Sequence, residues 1–344
     1  MRIEIVYPVI RDSEGTHGRL VLRTEADWDA DIEPTAVSAT GAYFEITWEG
    51  PTLAVKPCLR VGGELRWAQG ANYVLSADEP DPQIYPFFLA NLGGGVSDVM
   101  RLAGPGGDFS LRVYVPPGYD ENTLRRFPVI YMHDGKNLFF PEEAFGGQEW
   151  RVDETMNRLD EMNAIRKAIV VGVSPPDRGA AYTAPGYEAY GRFMANSLKP
   201  WVDARWRTRP EPESTIVMGS SLGGVAALHL AWAHPTVFGR AACLSSTFGH
   251  ADDLFERVGR DSKPAIQIYL DSGWPRDNYD TTNAMRDRLV ARGFTLGVDL
   301  LHFSFPDGVH SERSWAMRLH LPFQFFLGRA WTAGRRPVWS PPSL

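Results

Sequence analysis

Hydrophobic and polar positions alternate in short runs along the first eighty residues. Met1–Tyr7 (MRIEIVY) sets the pattern, and Leu20–Arg23, Tyr43–Trp48, Leu53–Arg60 and Asn72–Leu75 repeat it. Turn sequences at Asp31–Pro34, Gly50–Pro51 and Gly62–Gly63 separate the runs. A period of two puts alternate side chains on one face of a strand. Several short strands without helical spacing predict a small all-β sandwich over residues 1–80. Asp78–Pro86 (DEPDPQIYP) and Gly93–Gly95 are rich in Pro, Asp and Gly, which predicts a linker over 81–100.

Beyond residue 100 the period changes. Phe109–Val115, Val129–His133, Thr215–Met218, Ala241–Leu244, Ile266–Leu270 and Leu300–Phe305 read as strands. Ala168–Val173 (AIVVGV) is apolar throughout, as a strand buried on both faces would be. Helical spacing marks Val152–Ile165, Phe193–Trp206, Gly223–Ala233, Thr281–Arg292 and Glu312–Leu327. Strand–helix alternation implies right-handed βαβ units and a mostly parallel sheet over residues 101–334. The expected fold class is α/β, preceded by the small all-β sandwich and followed by a Pro- and Ser-rich extended tail at 335–344.

Composition narrows the function classes. Gly and Pro together supply 59 of 344 residues (33 and 26), which favours a loop-rich fold over a helical bundle. With 42 acidic and 35 basic residues the net charge is −7, leaving no basic excess to neutralise phosphates, so a general nucleic-acid binder is excluded. No apolar run approaches the ~18 residues of a membrane span. The N-terminus lacks a basic region followed by an apolar stretch, so no secretory signal is visible and a cytoplasmic location is expected. Cys58 and Cys243 lie far apart in apolar runs and read as two buried free thiols.

The strongest chemical signal is Gly219-Ser220-Ser221-Leu222-Gly223, a G-x-S-x-G between an apolar strand and an Ala- and Leu-rich helix. That is the context of a nucleophile elbow. The central Ser221 sits in a strained turn, so residues two away on either side must be small. Its hydroxyl then projects at the positive end of a helix, and the N–H of Leu222 points at a developing oxyanion.

A serine nucleophile needs a base, and the chain has eight histidines. His229 and His234 are too close in sequence to fold back on Ser221. His17 is in the β region, His133 ends a strand before the nucleophile, His302 alternates within a strand, and His320 lies in the terminal helix. His250 follows the strand after the elbow and is a rim candidate. His310 stands in a loop between the last strand and last helix, and it is the expected base. The carboxylate should fall between Ser221 and His310. The loop after Ile266–Leu270 offers Asp271, Asp277 and Asp280. Asp271 lies one residue past a strand and Asp280 in the first turn of a helix, so Asp277 is preferred. A second oxyanion donor is expected from the loop His133-Asp134-Gly135-Lys136-Asn137, with Lys136 or Asn137 as candidates.

Metal and cofactor signals are weak. Asp134, Asp307 and His310 form no spaced ligand cluster. Gly93–Gly95 lacks the Lys-Ser/Thr of a phosphate loop, and no dinucleotide fingerprint is present. No cofactor and no metal are expected.

These residues carry a resemblance. Arg112–Trp150 resembles the putative-esterase, or esterase-D-like, family of α/β hydrolases, which includes enterochelin, feruloyl and acetyl-xylan esterases and bacterial mycolyltransferases. Ile169–Ser174 (IVVGVS), Leu198–Arg207 (LKPWVDARWR), Val217–Gly224 (VMGSSLGG), Leu270–Asn278 (LDSGWPRDN) and Gly308–Trp315 (GVHSERSW) extend it over about 96–330. The resemblance implies Ser221 as nucleophile, His310 as base and the Asp of the SGWPRDN loop as acid. The chain departs from the family at Gly273–Asp277, where a shorter Gly-Thr-x-Glu or Asp is common. More weakly, Leu53–Leu75 is similar to starch-binding-type carbohydrate-binding modules, with Trp67 as the aromatic in question.

The expected function is a serine carboxylesterase acting through an acyl-enzyme on a small-molecule or saccharide ester, with aryl or sugar-linked esters favoured. The alternatives are an acyltransferase with the same triad and a catalytically inactive glycan-binding protein. An aromatic rim is expected from Trp150, Tyr182, Tyr187 and Trp274. No nucleic-acid or membrane partner is expected, and a homo-oligomer stays open.

Overall fold

The computed structural model describes residues 1–8, 18–77, 81–89 and 93–328. The tail expected at 335–344 and His17 lie outside the described residues.

Among the described residues, the N-terminal region is built from nine strands: β1 (Arg2–Val6), β2 (Arg19–Thr24), β3 (Asp27–Ile32), β4 (Ala36–Ser38), β5 (Gly41–Glu45), β6 (Thr52–Val61), β7 (Glu64–Trp67), β8 (Tyr73–Ser76) and β9 (Gln83–Ile84). They form a four-stranded sheet, β4-β5-β1-β9, and a five-stranded sheet in which β2 and β6 pair centrally. Ile3, Ile5 and Phe44 from the first sheet share one core with Leu22, Val55 and Leu75 from the second. Two sheets sharing one core make a sandwich. Residues 83–84, expected in the linker, pair in parallel with β1 and belong to the sandwich.

The large sheet follows. Its strands are β10 (Gly95–Val96), β11 (Met100–Gly104), β12 (Gly107–Val115), β13 (Val129–His133), β14 (Ile169–Ser174), β15 (Thr215–Ser220), β16 (Arg240–Leu244), β17 (Gln267–Trp274) and β18 (Leu300–Pro306). Spatial order is β10-β12-β14-β13-β15-β16-β17-β18, with β11 beside β12. From β14 to β18 every pairing is parallel, while β12 runs antiparallel to β14. Parallel strands need helical crossovers, so both faces are covered and the central strands are mostly apolar. Every residue of β13 and β15 is buried.

The helices are α1 (Val152–Glu161), α2 (Arg178–Tyr182), α3 (Gly186–Phe193), α4 (Lys199–Asp203), α5 (Leu222–Ala233), α6 (Leu254–Arg260), α7 (Tyr279–Ala291), α8 (Glu312–Ala316) and α9 (His320–Leu327). Two expectations shift here. The helix expected at Phe193–Trp206 begins earlier, as α3, and reaches α4 through a π-helical turn at Met194–Leu198. The helix expected at Glu312–Leu327 is two helices, α8 and α9.

Glu121 and Asn122, in the loop after β12, hold the two regions together. Glu121 accepts hydrogen bonds from the Tyr7 hydroxyl (2.7 Å) and from the backbone N–H groups of Phe88 (2.6 Å) and Leu89 (2.8 Å). The buried Asn122 amide donates to the carbonyls of Val6 and Pro86, both at 2.9 Å.

Candidate active site

The carboxyl ends of β13 to β18 gather the chemistry-bearing residues on one edge of the sheet, where ligands bind in open α/β sheets. Ser221 joins β15 to α5 with φ 56° and ψ −122°, a strained conformation for a residue with a side chain. The glycine two residues before it is required sterically. A Cβ on Gly219 would lie 2.6 Å from the carbonyl carbon of Gly223. Leu222 is the first residue of α5, so its N–H has no intrahelical acceptor.

The segment after β16 binds Ser221 from one side and the acidic loop from the other. The Ser221 N–H donates to the Leu244 carbonyl (2.9 Å), and the Thr247 N–H donates to the Ser221 carbonyl (3.3 Å). Ser245 lies between them, fully buried. Its hydroxyl donates to Asp277 Oδ2 at 2.6 Å. The donor assignment is forced, because the other two partners of this oxygen, Trp315 Nε1 (3.0 Å) and Arg318 Nη2 (2.6 Å), can only donate.

Asp277 sits on the loop between β17 and α7 with φ 89°, its side chain buried. Its Oδ1 lies 2.6 Å from His310 Nδ1, and its Oδ2 also accepts the Gly273 N–H at 2.9 Å. Burial pushes this carboxyl up, but the hydrogen bonds from His310, Ser245 and Gly273 outweigh it and hold the group below its ordinary value. The loops meet because both carry glycine. A Cβ on Gly273 would lie 2.1 Å from the Gly308 carbonyl oxygen. His310 follows two residues later, its side chain 39% exposed and its ring edge-on to Trp315 at 4.9 Å.

Asp271 and Asp280 occupy different places. Asp271 lies within β17, fully buried, accepting from the Tyr269 hydroxyl (2.9 Å) and facing Arg318 Nη2 at 3.1 Å. Burial pushes its carboxyl up to about 6. Asp280 is in the first turn of α7.

The loop after β13 forms a short 3₁₀ turn, Gly135–Asn137. The amides expected as oxyanion donors are already engaged. The Lys136 N–H donates to Ser174 Oγ at 3.0 Å and the Asn137 N–H to the Asp134 carbonyl at 2.9 Å. The Asn137 side chain fixes the loop instead, accepting from the Phe145 N–H (3.0 Å) and donating to Glu312 (3.3 Å). Arg178 Nε donates to Asp134 at 2.7 Å.

The expected aromatic rim is corrected at three of its four positions. Trp150, Tyr182 and Tyr187 are fully buried, because Trp150 packs on Trp315 and the tyrosines pack on buried histidines beneath the loops. Trp274, at the end of β17, is 48% exposed. Of the other histidines, His133 is buried against Tyr190, and burial together with Arg178 lowers it to about 3, so its ring is neutral. His229 is buried in α5, and His302 lies on the edge strand β18. Among the described residues no group of three His, Cys, Asp or Glu side chains is gathered for a metal ion, and both cysteines are free and buried. No helix among the described residues is long and apolar enough to cross a membrane.

Sequence reading missed Ser245 and Arg318. The Ser245-Ser246 pair directly after a strand was a usable signal. Arg318, eight residues past His310 in an apolar segment, was signalled only by being a charge where the pattern is apolar.

Among curated proteins, this chain is similar to the uncharacterised protein YbbA of Bacillus subtilis (strain 168), with 29% identity over 154 residues. That match covers 41% of this chain and 58% of the relative, so the chain spans little more than half of its length. Among solved structures it is similar to a ferulic acid esterase (TM-score 0.58, 16% identity, 68% of this chain and 98% of that one). It is also similar to the enterobactin esterase from Shigella flexneri (TM-score 0.53, 14% identity, 90% of this chain and 88% of that one). At these identities the structural likeness establishes the fold alone, an α/β-hydrolase fold behind a β-rich region. The sequence profile described as "Putative esterase" matches residues 103–321, from within β11 into α9. Because that span is well over half of the chain and takes in the elbow, the acidic loop and the His310 loop, the protein belongs to this esterase family.

Proposed function

We propose that the protein is a serine carboxylesterase in which Ser221 attacks an ester carbonyl. His310 Nε2 takes the Ser221 proton and returns it to the leaving alcohol, and water then hydrolyses the acyl-enzyme. Asp277 holds the imidazole through Nδ1 and stabilises the imidazolium. The N–H of Leu222 faces the oxyanion. The observation that carries this reading is the 2.6 Å contact between His310 Nδ1 and the buried Asp277 carboxylate, which Ser245 joins to the segment hydrogen-bonded to the strained turn of Ser221. Aryl esters, including aryl esters of sugars, are the favoured substrates. The half-exposed Trp274 beside the His310 loop and the feruloyl and enterobactin esterases among the structural neighbours support that class.

The test is labelling by a fluorophosphonate probe together with turnover of p-nitrophenyl, feruloyl and acetyl esters. Ser221→Ala is expected to abolish labelling and lower turnover on the order of 10³-fold or more, with an unchanged circular-dichroism spectrum. A folded variant that keeps its activity would overturn the reading.

A further inference from the structure

Arg318 is a buried cation that the proposed chemistry does not use. Its side chain is 3% exposed, yet its Nε and Nη1 have no hydrogen-bond partner among the described residues. One nitrogen, Nη2, makes all its polar contacts: Ser245 Oγ at 2.6 Å, Asp271 Oδ1 at 3.1 Å and Asp277 Oδ2 at 3.7 Å. The guanidinium otherwise lies 5.0 Å from the centre of the Phe305 ring. A buried cation serving stability alone would be expected to spend its donors fully, because each unpaired one carries a desolvation cost. This one instead stands between two buried carboxylates, of which only Asp277 touches His310.

We propose that Arg318 is a positioning residue whose single charge, divided between Asp271 and Asp277, sets how firmly Asp277 holds the His310 imidazole. The inference rests on the serine-esterase reading above. Asp271 draws the guanidinium away from Asp277, so Asp277 keeps its full charge for His310. The groups facing Arg318 are Ser245 just after β16, Tyr269 and Asp271 on β17, Asp277 on the following loop and Phe305 on β18, and Trp315 on α8 shares the Ser245 hydroxyl. Among these only Asp277, and Asp271 above about pH 6, carry negative charge.

The consequence is a reversal that packing alone would not produce. Asp271→Asn leaves Arg318 facing Asp277 alone and removes one negative charge near His310. Both changes disfavour the imidazolium. The acid limb of kcat/KM for an aryl acetate is therefore expected to move down by about half a pH unit or more. In parallel, kcat falls several-fold with KM little changed. Adding Arg318→Gln to that variant removes the competing cation and is expected to return the limb most of the way to the wild-type position.

The experiment compares these pH profiles with the His310 imidazole titration followed by NMR, assigned by loss of its signal in His310→Gln. If the double variant does not fold, the Asp271→Asn titration alone decides, and an unmoved His310 overturns the inference. A double variant that folds and loses further activity without the limb returning also overturns it. A wild-type protein with no esterase activity and no probe labelling overturns the esterase reading, and this inference with it.

Discussion

On the β16–β17 side of Ser221, Asp271, Asp277 and Arg318 lie below the surface and hold one another, with Ser245 and Trp315 fixing their orientation. On the β13–β14 side the lining is aromatic: Tyr182 and Tyr190 pack on His133, whose burial keeps it neutral, and Trp150 is buried under the loop after β13. The charged pair there, Asp134 and Arg178, sits at the mouth with Arg178 partly exposed. One side is thus built to hold a charge in a defined orientation, and the other to hold a backbone loop in a defined shape. The two sides should therefore fail differently when altered: the first through chemistry and pH, the second through stability.

The largest effect tests the charged side. Asp277→Asn keeps the shape of the side chain but removes the charge that stabilises the imidazolium and disturbs the His310 tautomer. Steady-state kinetics should show kcat lowered by ~10²–10⁴-fold with KM little changed. A loss of that size at Asp271 or Asp280 instead, in a folded protein, would move the acid to that residue.

The aromatic side should respond in stability. Trp150 is 1% exposed, and its backbone N–H donates to the carbonyl of Asn137 in the 3₁₀ turn. Trp150→Ala should cost about 3–5 kcal/mol in denaturant unfolding, with the relative rates on short and bulky esters unchanged. A stable variant with altered ester preference would show that Trp150 lines the cleft after all.

A smaller effect follows from Asp271. Its folded carboxyl is raised to about 6, against about 3.9 in an unfolded chain. The folded state therefore binds this proton more tightly. The stabilisation is complete below the unfolded value and is lost as pH rises through 6. Between pH 4 and 7 the wild type should lose on the order of 2 kcal/mol relative to Asp271→Asn. Parallel Tm–pH curves for the two proteins would contradict this.

The same contrast explains what was legible in the sequence. Chain order and loop position single out Ser221, Asp277 and His310 as candidates, and the structure brings the last two into contact; an elbow, a loop carboxylate and a loop histidine leave local signals: Gly spacing, strand ends, and Gly and Pro bends. The aromatics mislead, since a Tyr or Trp in a loop sequence reads the same whether it faces a cleft or turns inward. Tyr182 and Tyr187 turn inward because α2 and α3 stack on α5, a contact between segments far apart in sequence. Lys136 and Asn137 mislead for a related reason. The 3₁₀ turn that ends β13 and the hydroxyl of Ser174 on the next strand take their amides, and neither partner is visible from the loop itself. Strands of the large sheet are legible because burial on both faces writes an apolar run. The split of the last helix into α8 and α9 is not, because both segments keep helical spacing.

Trp274 offers the mildest and most specific test, because it belongs to the charged side yet is the one expected rim aromatic that stays exposed. Its backbone is fixed: Trp274 pairs with Pro306, and its carbonyl accepts the Asp307 N–H at 3.0 Å. The ring therefore stands on the same structural corner that carries the His310 loop, while its exposed face does no packing. Truncation should leave Asp277 and His310 where they are, so turnover of a small acetate should be unchanged. A feruloyl or other aryl ester would lose a stacking surface, a contribution of about 0.5–1.5 kcal/mol. Trp274→Ala should accordingly raise KM for the aryl ester by about 2- to 10-fold while kcat on the acetate holds. Equal losses on both esters would mean that the ring supports the His310 loop and does not meet the substrate.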